Sequence, residues 1–220
     1  MFGKMYQNGH IYKGLKPVYW CAHDETALAE AEIEYQDDPC TTLFVKFPVA
    51  DDKGKLSGLT DLSKTYFVIW TTTAWTLPGN RAISVNPDFE YVLMQVPNGE
   101  VYIVAKELAE SVAKEAHLES YEIIATVMGS ELDLMTARHP FADRESVVLC
   151  GDHVTLDAGT GCVHTAPGFG ADDYQTCRRY NIDLIVPVDD RGRQTEAAGK
   201  YAGLRYDESN AVILADLKKI

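Results

Sequence analysis

The sequence is short of positive charge. Twenty lysines and arginines stand against 33 aspartates and glutamates, for a formal net charge of −13. An acidic surface repels phosphate backbones, so contact with a nucleic acid has to be local or to draw most of its affinity from elsewhere. Cysteine is sparse: Cys21, Cys40, Cys150, Cys162 and Cys177. An odd number, irregular spacing and the lack of a secretory segment argue against a disulfide framework, and reduced thiols in a cytoplasmic protein are expected. No apolar run approaches the roughly 20 residues that span a bilayer, so no membrane partner is expected. Internal repeats and low-complexity segments are also missing. Cys21-Ala22-His23 resembles half of a zinc site, but a structural zinc site wants four ligands from two paired clusters, and no second cluster follows. We therefore expect neither metal nor cofactor.

What is present is ordinary globular material. Hydrophobic residues make up 46% and charged residues 24%, enough apolar side chain for one large domain, or one domain with extensions. Met1 to Ile11 reads as a short amphipathic helix and Lys16 to Cys21 as a strand. Asp24 can cap a helix through about Tyr35, because Ala27, Leu28 and Ala31 repeat at helical spacing. Strands then prevail. Thr42 to Pro48 is one, and Lys64 to Thr73 another, with Tyr66, Val68 and Trp70 on one face and Phe67, Ile69 and Thr71 on the other. Tyr91–Val96 and Val101–Ala105, around Pro97-Asn98-Gly99, read as a hairpin. Tyr121–Val127, Ser146–Cys150, Gly161–Thr165 and Leu184–Val188 complete the predicted strands. Helices are predicted over Lys106–His117, Asp172–Tyr180 and Asp207–Lys219. Many short strands with Gly/Pro turns and few helices point to an α+β domain around a barrel-like sheet.

Two runs carry chemistry. Gly161 to Tyr174, reading GCVHTAPGFGADDY, is a short strand, a Pro/Gly turn and a helix start with paired acids. Glycine lets backbone approach a ligand closely, and this turn places His164 and Asp173 on one rim. Upstream, Trp70 to Arg81 reads WTTTAWTLPGNR and supplies hydroxyls. Together the runs describe a hydrolytic pocket of hydroxyls, one imidazole and one carboxylate.

These residues resemble a known family. Trp70-Thr71-Thr72-Thr73-Ala74-Trp75-Thr76-Leu77-Pro78-Gly79-Asn80 is similar to the threonine-rich peptide of the editing domain inserted in class I aminoacyl-tRNA synthetases of the valyl, isoleucyl and leucyl type. Gly159 to Pro167, continued by Asp172-Asp173-Tyr174, resembles that domain's second signature. Lys16 to Trp20 and Ala27 to Tyr35 look like the leading segment of the family's bacterial isoleucyl members. No His-x-Gly-His nucleotide signature and no Lys-Met-Ser-Lys-Ser loop is present. The chain thus looks like an editing domain taken out of a longer enzyme, one expected neither to activate amino acids nor to use ATP, with Met1 the start of the piece. The resemblance implies a leading segment over 1–38, an editing core over 39–205 and a helical exit segment over 206–220.

It also implies a function: hydrolysis of mischarged valyl-tRNA(Ile), with valyl-adenylate a further substrate to test; the alternatives are an editing domain of the valyl or leucyl type and a non-catalytic module that binds the tRNA acceptor end. The partners would be the 3′-terminal aminoacyl-adenosine of tRNA(Ile) and the remainder of the synthetase, and the chain would be monomeric. A hydrophobic pocket separates valine from isoleucine by only about 1–3 kcal/mol, a limit for which this family is itself the standard illustration, so a second, smaller pocket has to remove the error. Asp173 matches the family's acidic residue and would anchor the substrate's α-ammonium through a charge-assisted hydrogen bond; capping the following helix is its plainer use, and suits Asp172 better. His164 resembles the residue that walls the side-chain pocket; read without the motif it is a core histidine. Thr72 and Thr73 would hold water or the ester, with Thr71 beside them, although a regular strand would turn Thr72 away from the other two. Trp75 would wall the adenosine, and Asn80 would lie near the substrate or simply serve the turn after Pro78-Gly79. A Cys162–His164 nucleophile pair is disfavoured, since same-face side chains at this spacing seldom reach attack geometry. Aminoacyl esters are labile, so positioning and a modest oxyanion donor would suffice, with help from the terminal ribose hydroxyl. Phe169 stands where many bacterial relatives have His, and Ala74 where they have Pro; no role is carried over to position 169.

Overall fold

The computed structural model describes residues 1–37 and 40–219, so the expected boundary at 38/39 lies outside the described residues. The elements in chain order are α1 (Phe2–Gln7), β1 (Tyr19–Cys21), β2 (Thr26–Leu28), β3 (Leu43–Asp51), β4 (Thr65–Thr71), β5 (Ala82–Val85), β6 (Glu90–Gln95) and β7 (Val101–Ala105). There follow α2 (Ala109–Glu115), β8 (Glu122–Met128), α3 (Gly129–Leu132), β9 (Thr136–Arg138), β10 (Glu145–Cys150), β11 (Val163–Thr165), α4 (Ala171–Arg179) and α5 (Tyr206–Leu217). Among the described residues no helix is long and apolar enough to cross a membrane.

The main sheet runs β11-β5-β10-β9-β3-β4-β7-β6-β8. It closes on itself because Trp70 of β4 also pairs with Val163 of β11, giving a six-stranded barrel with β7, β6 and β8 as an extension. The expected α+β barrel with peripheral helices is the observed architecture. The β4 strand makes the branch. Its first residues, Thr65–Phe67, pair with β7, and its end pairs with β11 along the same edge, while the opposite edge is held by β3. The alternation read from the sequence holds only in part in β4: Phe67, Ile69 and Thr71 are buried and Tyr66 and Trp70 half-buried, but Val68, on the face of Tyr66 and Trp70, is buried as well. Phe47, Phe67, Ile69, Ile83 and Ile103 meet in one core, each contributing about 1.5–3 kcal/mol through its buried area.

The junction of β7 and β11 depends on glycine. Gly161 has φ +75°, and a Cβ there would stand 2.4 Å from Cβ of Ala105. The Ala105 amide donates to the Thr160 carbonyl at 2.8 Å, and the buried Tyr91 hydroxyl donates to the Gly161 carbonyl at 2.6 Å. These bonds press the strand that carries His164 against the end of β7.

Two predicted elements do not form. Residues 24–35 are not a helix. Thr26–Leu28 pairs with Tyr19–Cys21, and only a 3-10 turn follows at Glu30–Glu32. The Asp24 carboxylate is taken by Cys21 and His23 instead of a helix N-terminus. A helix here would also set Glu30 above Glu34 and bury nothing, with Tyr35 81% exposed. The segment 184–188 contributes only Val188, in an isolated bridge to Gln194. Pro187 has no N–H to give a ladder, and its carbonyl accepts from Thr195 at 2.8 Å. Helix 106–117 begins as a 3-10 turn and is α-helical only from Ala109. The α5 helix of the expected exit segment packs on the core, with Ile213 fully buried.

Candidate functional site

The threonine peptide leaves β4 by a local device. The Thr71 hydroxyl accepts from the Thr73 amide at 3.1 Å, an ST-type turn that ends the strand. A 3-10 segment over Ala74–Gly79 follows. Because regular alternation stops at Thr71, Thr72 does not turn away: Thr71, Thr72 and Thr73 all line one cavity of about 570 Å³. His164 and Asp173 line it from the other signature, together with Trp70, Trp75 and Phe169.

His164 is half-buried, opposite Ile83 of β5. Its Nδ1 faces Asn80 Nδ2 at 2.7 Å and its Nε2 faces Thr76 Oγ1 at 3.0 Å. The same Asn80 nitrogen donates to the Ala82 carbonyl at 2.9 Å, and the Ser146 hydroxyl donates to Asn80 Oδ1. A carbonyl can only accept, so the amide orientation is fixed and His164 Nδ1 must be an acceptor. The proton then sits on Nε2 and is donated to Thr76, whose own hydroxyl donates to the Thr73 carbonyl at 2.8 Å. Burial pushes the His164 pKa down to about 4. The ring is therefore a neutral wall with both nitrogens engaged. Asn80 is 0% exposed and stands behind His164, outside the cavity lining.

Asp173 lies in the first turn of α4, after the Ala166–Gly170 turn. Its Oδ2 accepts from the Ala166 amide at 2.8 Å. Gly170 leaves room for this fold-back, since a Cβ there would stand 3.0 Å from Asp173 Cγ. Burial raises the Asp173 pKa, opposed by the Ala166 bond and by the nearby His153, while Asp172 reinforces the rise. Asp172 itself is exposed and faces a neighbouring groove.

The aromatic wall is built from three segments. Trp75 meets Phe169 edge-on at 5.1 Å and Tyr206 at 5.3 Å. Phe169 closes over Gly79, where a Cβ would come within 2.7 Å of its ring. The Cys162 thiol is 2% exposed, its Sγ lies 3.5 Å from the Ile103 carbonyl, and burial pushes its pKa far up. With the thiol buried and both His164 nitrogens engaged by Asn80 and Thr76, the expected obstacle to a Cys162–His164 nucleophile pair is present. Sequence reasoning missed Thr76, which holds His164 although it belongs to the same peptide three positions after Thr73. It also missed Trp70 and His153, whose lone ring carries no pattern.

A family model for tRNA synthetases of class I (I, L, M and V) matches residues 1–154. The chain belongs to that family. It is 56% identical over 219 residues to the isoleucine–tRNA ligase of Caldicellulosiruptor bescii, covering 99% of this chain and 24% of that protein. It is 52% identical over 220 residues to that of Bacillus cereus strain AH187, covering 100% and 23%. The chain thus spans about a quarter of the length of these class I ligases. Its fold matches the crystal structure of GlLeuRS-CP1, with TM-score 0.66 at 18% identity over 81% of this chain and 96% of that one. It also matches the P. knowlesi cytosolic leucyl-tRNA synthetase editing domain, with TM-score 0.62 at 13% identity over 82% and 94%. An editing-domain fold within the class I family is the common ground.

Proposed function

We propose that the 570 Å³ cavity deacylates mischarged tRNA, with valyl-tRNA(Ile) as its substrate and the rest of a class I synthetase as its partner. The observation that carries this reading is that one cavity is lined by the half-buried Asp173 and by Thr71, Thr72 and Thr73. Asp173 takes the α-ammonium, through one oxygen left over from the Ala166 amide. His164, neutral and tethered at both nitrogens, serves as a wall rather than as a base. The Thr72 and Thr73 hydroxyls hold the attacking water and the ester carbonyl. Water adds to the carbonyl carbon, the bond to the ribose oxygen breaks, and the ribose leaves with a proton, giving free amino acid and tRNA. The resemblance implies assistance from the terminal ribose hydroxyl. Trp70 and Trp75 offer rings to the adenosine. The reading implies a metal-free, monomeric cytoplasmic activity.

The test is deacylation of preformed valyl- and isoleucyl-tRNA(Ile) by the chain and by Asp173→Ala, alongside calorimetry with non-hydrolysable valyl- and isoleucyl-aminoadenosine. Selective loss of the valyl ester and selective valyl binding, both abolished by Asp173→Ala, are expected. Equal handling of the two amino acids would remove the isoleucyl assignment. Binding of both analogues without turnover would make the cavity a holding site for the acceptor end.

A further inference from the structure

Ser146 is fully buried on β10 and lies outside the cavity lining. A hydroxyl on a strand that otherwise buries Val148 and Leu149 costs stability unless it is bonded. Among the described residues its single partner is Asn80 Oδ1, and that oxygen has no other donor. Strand register makes the meeting. The β10 strand runs parallel to β5 with Val147 opposite Ala82, and the Val147 amide donates to the Arg81 carbonyl at 3.3 Å. Ser146, one residue earlier, therefore comes up against Asn80, the residue that ends the 3-10 segment of the threonine peptide.

The bonds from Ser146 onward all run in one sense. The Ser146 hydroxyl donates to Asn80 Oδ1, Asn80 Nδ2 to His164 Nδ1, His164 Nε2 to Thr76 Oγ1, and the Thr76 hydroxyl to the Thr73 carbonyl. Asn80 Nδ2 is also held by the Ala82 carbonyl. The last acceptor is a carbonyl, which cannot donate, so the chain cannot reverse. It starts behind the cavity and ends on the backbone of a residue that lines it. Without its head, Asn80 Oδ1 becomes a buried acceptor with no donor, and the amide loses the bond that holds its oxygen end. The imidazole seated 2.7 Å from that amide is freed with it. Ser84 offers a contrast. It is equally buried, on the neighbouring β5, but it bonds Thr165 Oγ1 at 2.7 Å and has no part in the chain.

We propose that Ser146 is a positioning residue of the cavity: through the Asn80 amide it holds the His164 ring in the tautomer and orientation that make it the wall against a larger amino acid. What the wall excludes rests on the deacylase reading; the state of the ring does not. Ser146 touches no substrate and acts through Asn80 and His164.

The first measurement needs no variant: long-range nitrogen–proton correlation of the His164 ring in the whole chain at pH 7. A proton on Nε2 and a bare Nδ1 are expected; a proton on Nδ1 overturns the proposal. Ser146→Ala is then compared with Ser84→Ala, which removes a hydroxyl of equal burial. In Ser146→Ala the ring should show both tautomers, and the preference for valyl- over isoleucyl-tRNA(Ile) in deacylation should fall about tenfold. Ser84→Ala should change neither. If Ser146→Ala does not fold, Ser146→Cys, which keeps the shape of the side chain and only a weak donor, is read in the same way. An unchanged ring, or the same change in Ser84→Ala, overturns the role of Ser146. A changed ring with unchanged preference overturns its bearing on specificity. If the ring responds as expected but the wild-type chain cleaves neither ester, the positioning stands and the deacylase reading falls.

Discussion

Asp173 illustrates how far a single carboxylate can be placed at odds with stability. Its burial raises its pKa, so between the ordinary carboxylate value and the raised one the folded chain holds a proton that the unfolded chain has released. Stability therefore falls as pH rises through that window, and the ionised form above it is the costly one. Binding of an ammonium ligand runs the other way and needs the ionised form. Affinity for valyl-aminoadenosine should accordingly have an acidic limb displaced above the usual carboxylate range, measurable by calorimetry from pH 4 to 7. Asp173→Asn keeps an acceptor for the Ala166 amide and removes the charge. We expect deacylation to drop by about one to two orders of magnitude with thermal stability unchanged or slightly raised. A matched loss of both would mean that Asp173 serves only the fold.

His164 has the opposite linkage. Its pKa falls from 6.5 to about 4 through burial, and buried His139 falls to about 3 for the same first cause. The unfolded chain binds more protons than the folded one between those values and 6.5, so stability is full above 6.5 and is lost as pH falls toward 4. At full proton uptake the His164 shift corresponds to at most about 3 kcal/mol and the His139 shift to at most about 5 kcal/mol, and urea unfolding at pH 7, 5.5 and 4.5 should show the onset of the decline. Most of the residues that line the cavity were legible in the sequence, because two signature peptides name them. Their contacts were not. Nothing in the pattern says that Asn80 acts from behind His164, or that Thr76 accepts from the imidazole N–H, because both depend on how a 3-10 turn lies against a strand nearly ninety positions away.

At the scale of elements, legibility followed local physics. The β6–β7 hairpin was readable because Pro97-Asn98-Gly99 makes its own turn, and the observed pairing of Tyr91 with Ala105 respects it. The strand β5 was missed: Ala82–Val85 has four buried residues and no alternation, since both faces lie inside the molecule. The misread helix at 24–35 failed because amphipathic spacing has no value without a surface to cover. Gly161 is the element-scale position most open to test. Its φ is +75°, and a methyl group added there would meet Ala105 Cβ at 2.4 Å. Gly161→Ala therefore adds both strain and a clash, and should cost about 2–4 kcal/mol. Denaturant melts would read it. A Tm unchanged within a degree would show that the β7–β11 junction yields easily.

Across the whole molecule, the C-terminal helix belongs to the site's support. Gln194 donates to the Trp75 carbonyl at 2.9 Å and to the Ser209 hydroxyl at 3.2 Å, and Tyr206 packs on Trp75. Ile213→Ala should destabilise the chain by about 2–5 kcal/mol, and the same variant should loosen Trp75, seen as a red shift and broadening of its fluorescence. Loss of stability with an unchanged tryptophan signal would separate α5 from the cavity.

The barrel's closure has a consequence in time. Trp70 and Val163 are about ninety residues apart and meet through a single parallel pair, whereas β3 and β4 are separated only by residues 52–64 and β6 and β7 only by residues 96–100. Loop-closure entropy delays contacts between distant segments, so the hairpins should assemble first and the two signature peptides meet late. A chain halted before that meeting would hold much of its sheet and none of its cavity. Recovery of ligand binding during refolding should then lag behind recovery of strand signal, and the last event of folding would be the one that creates the chemistry.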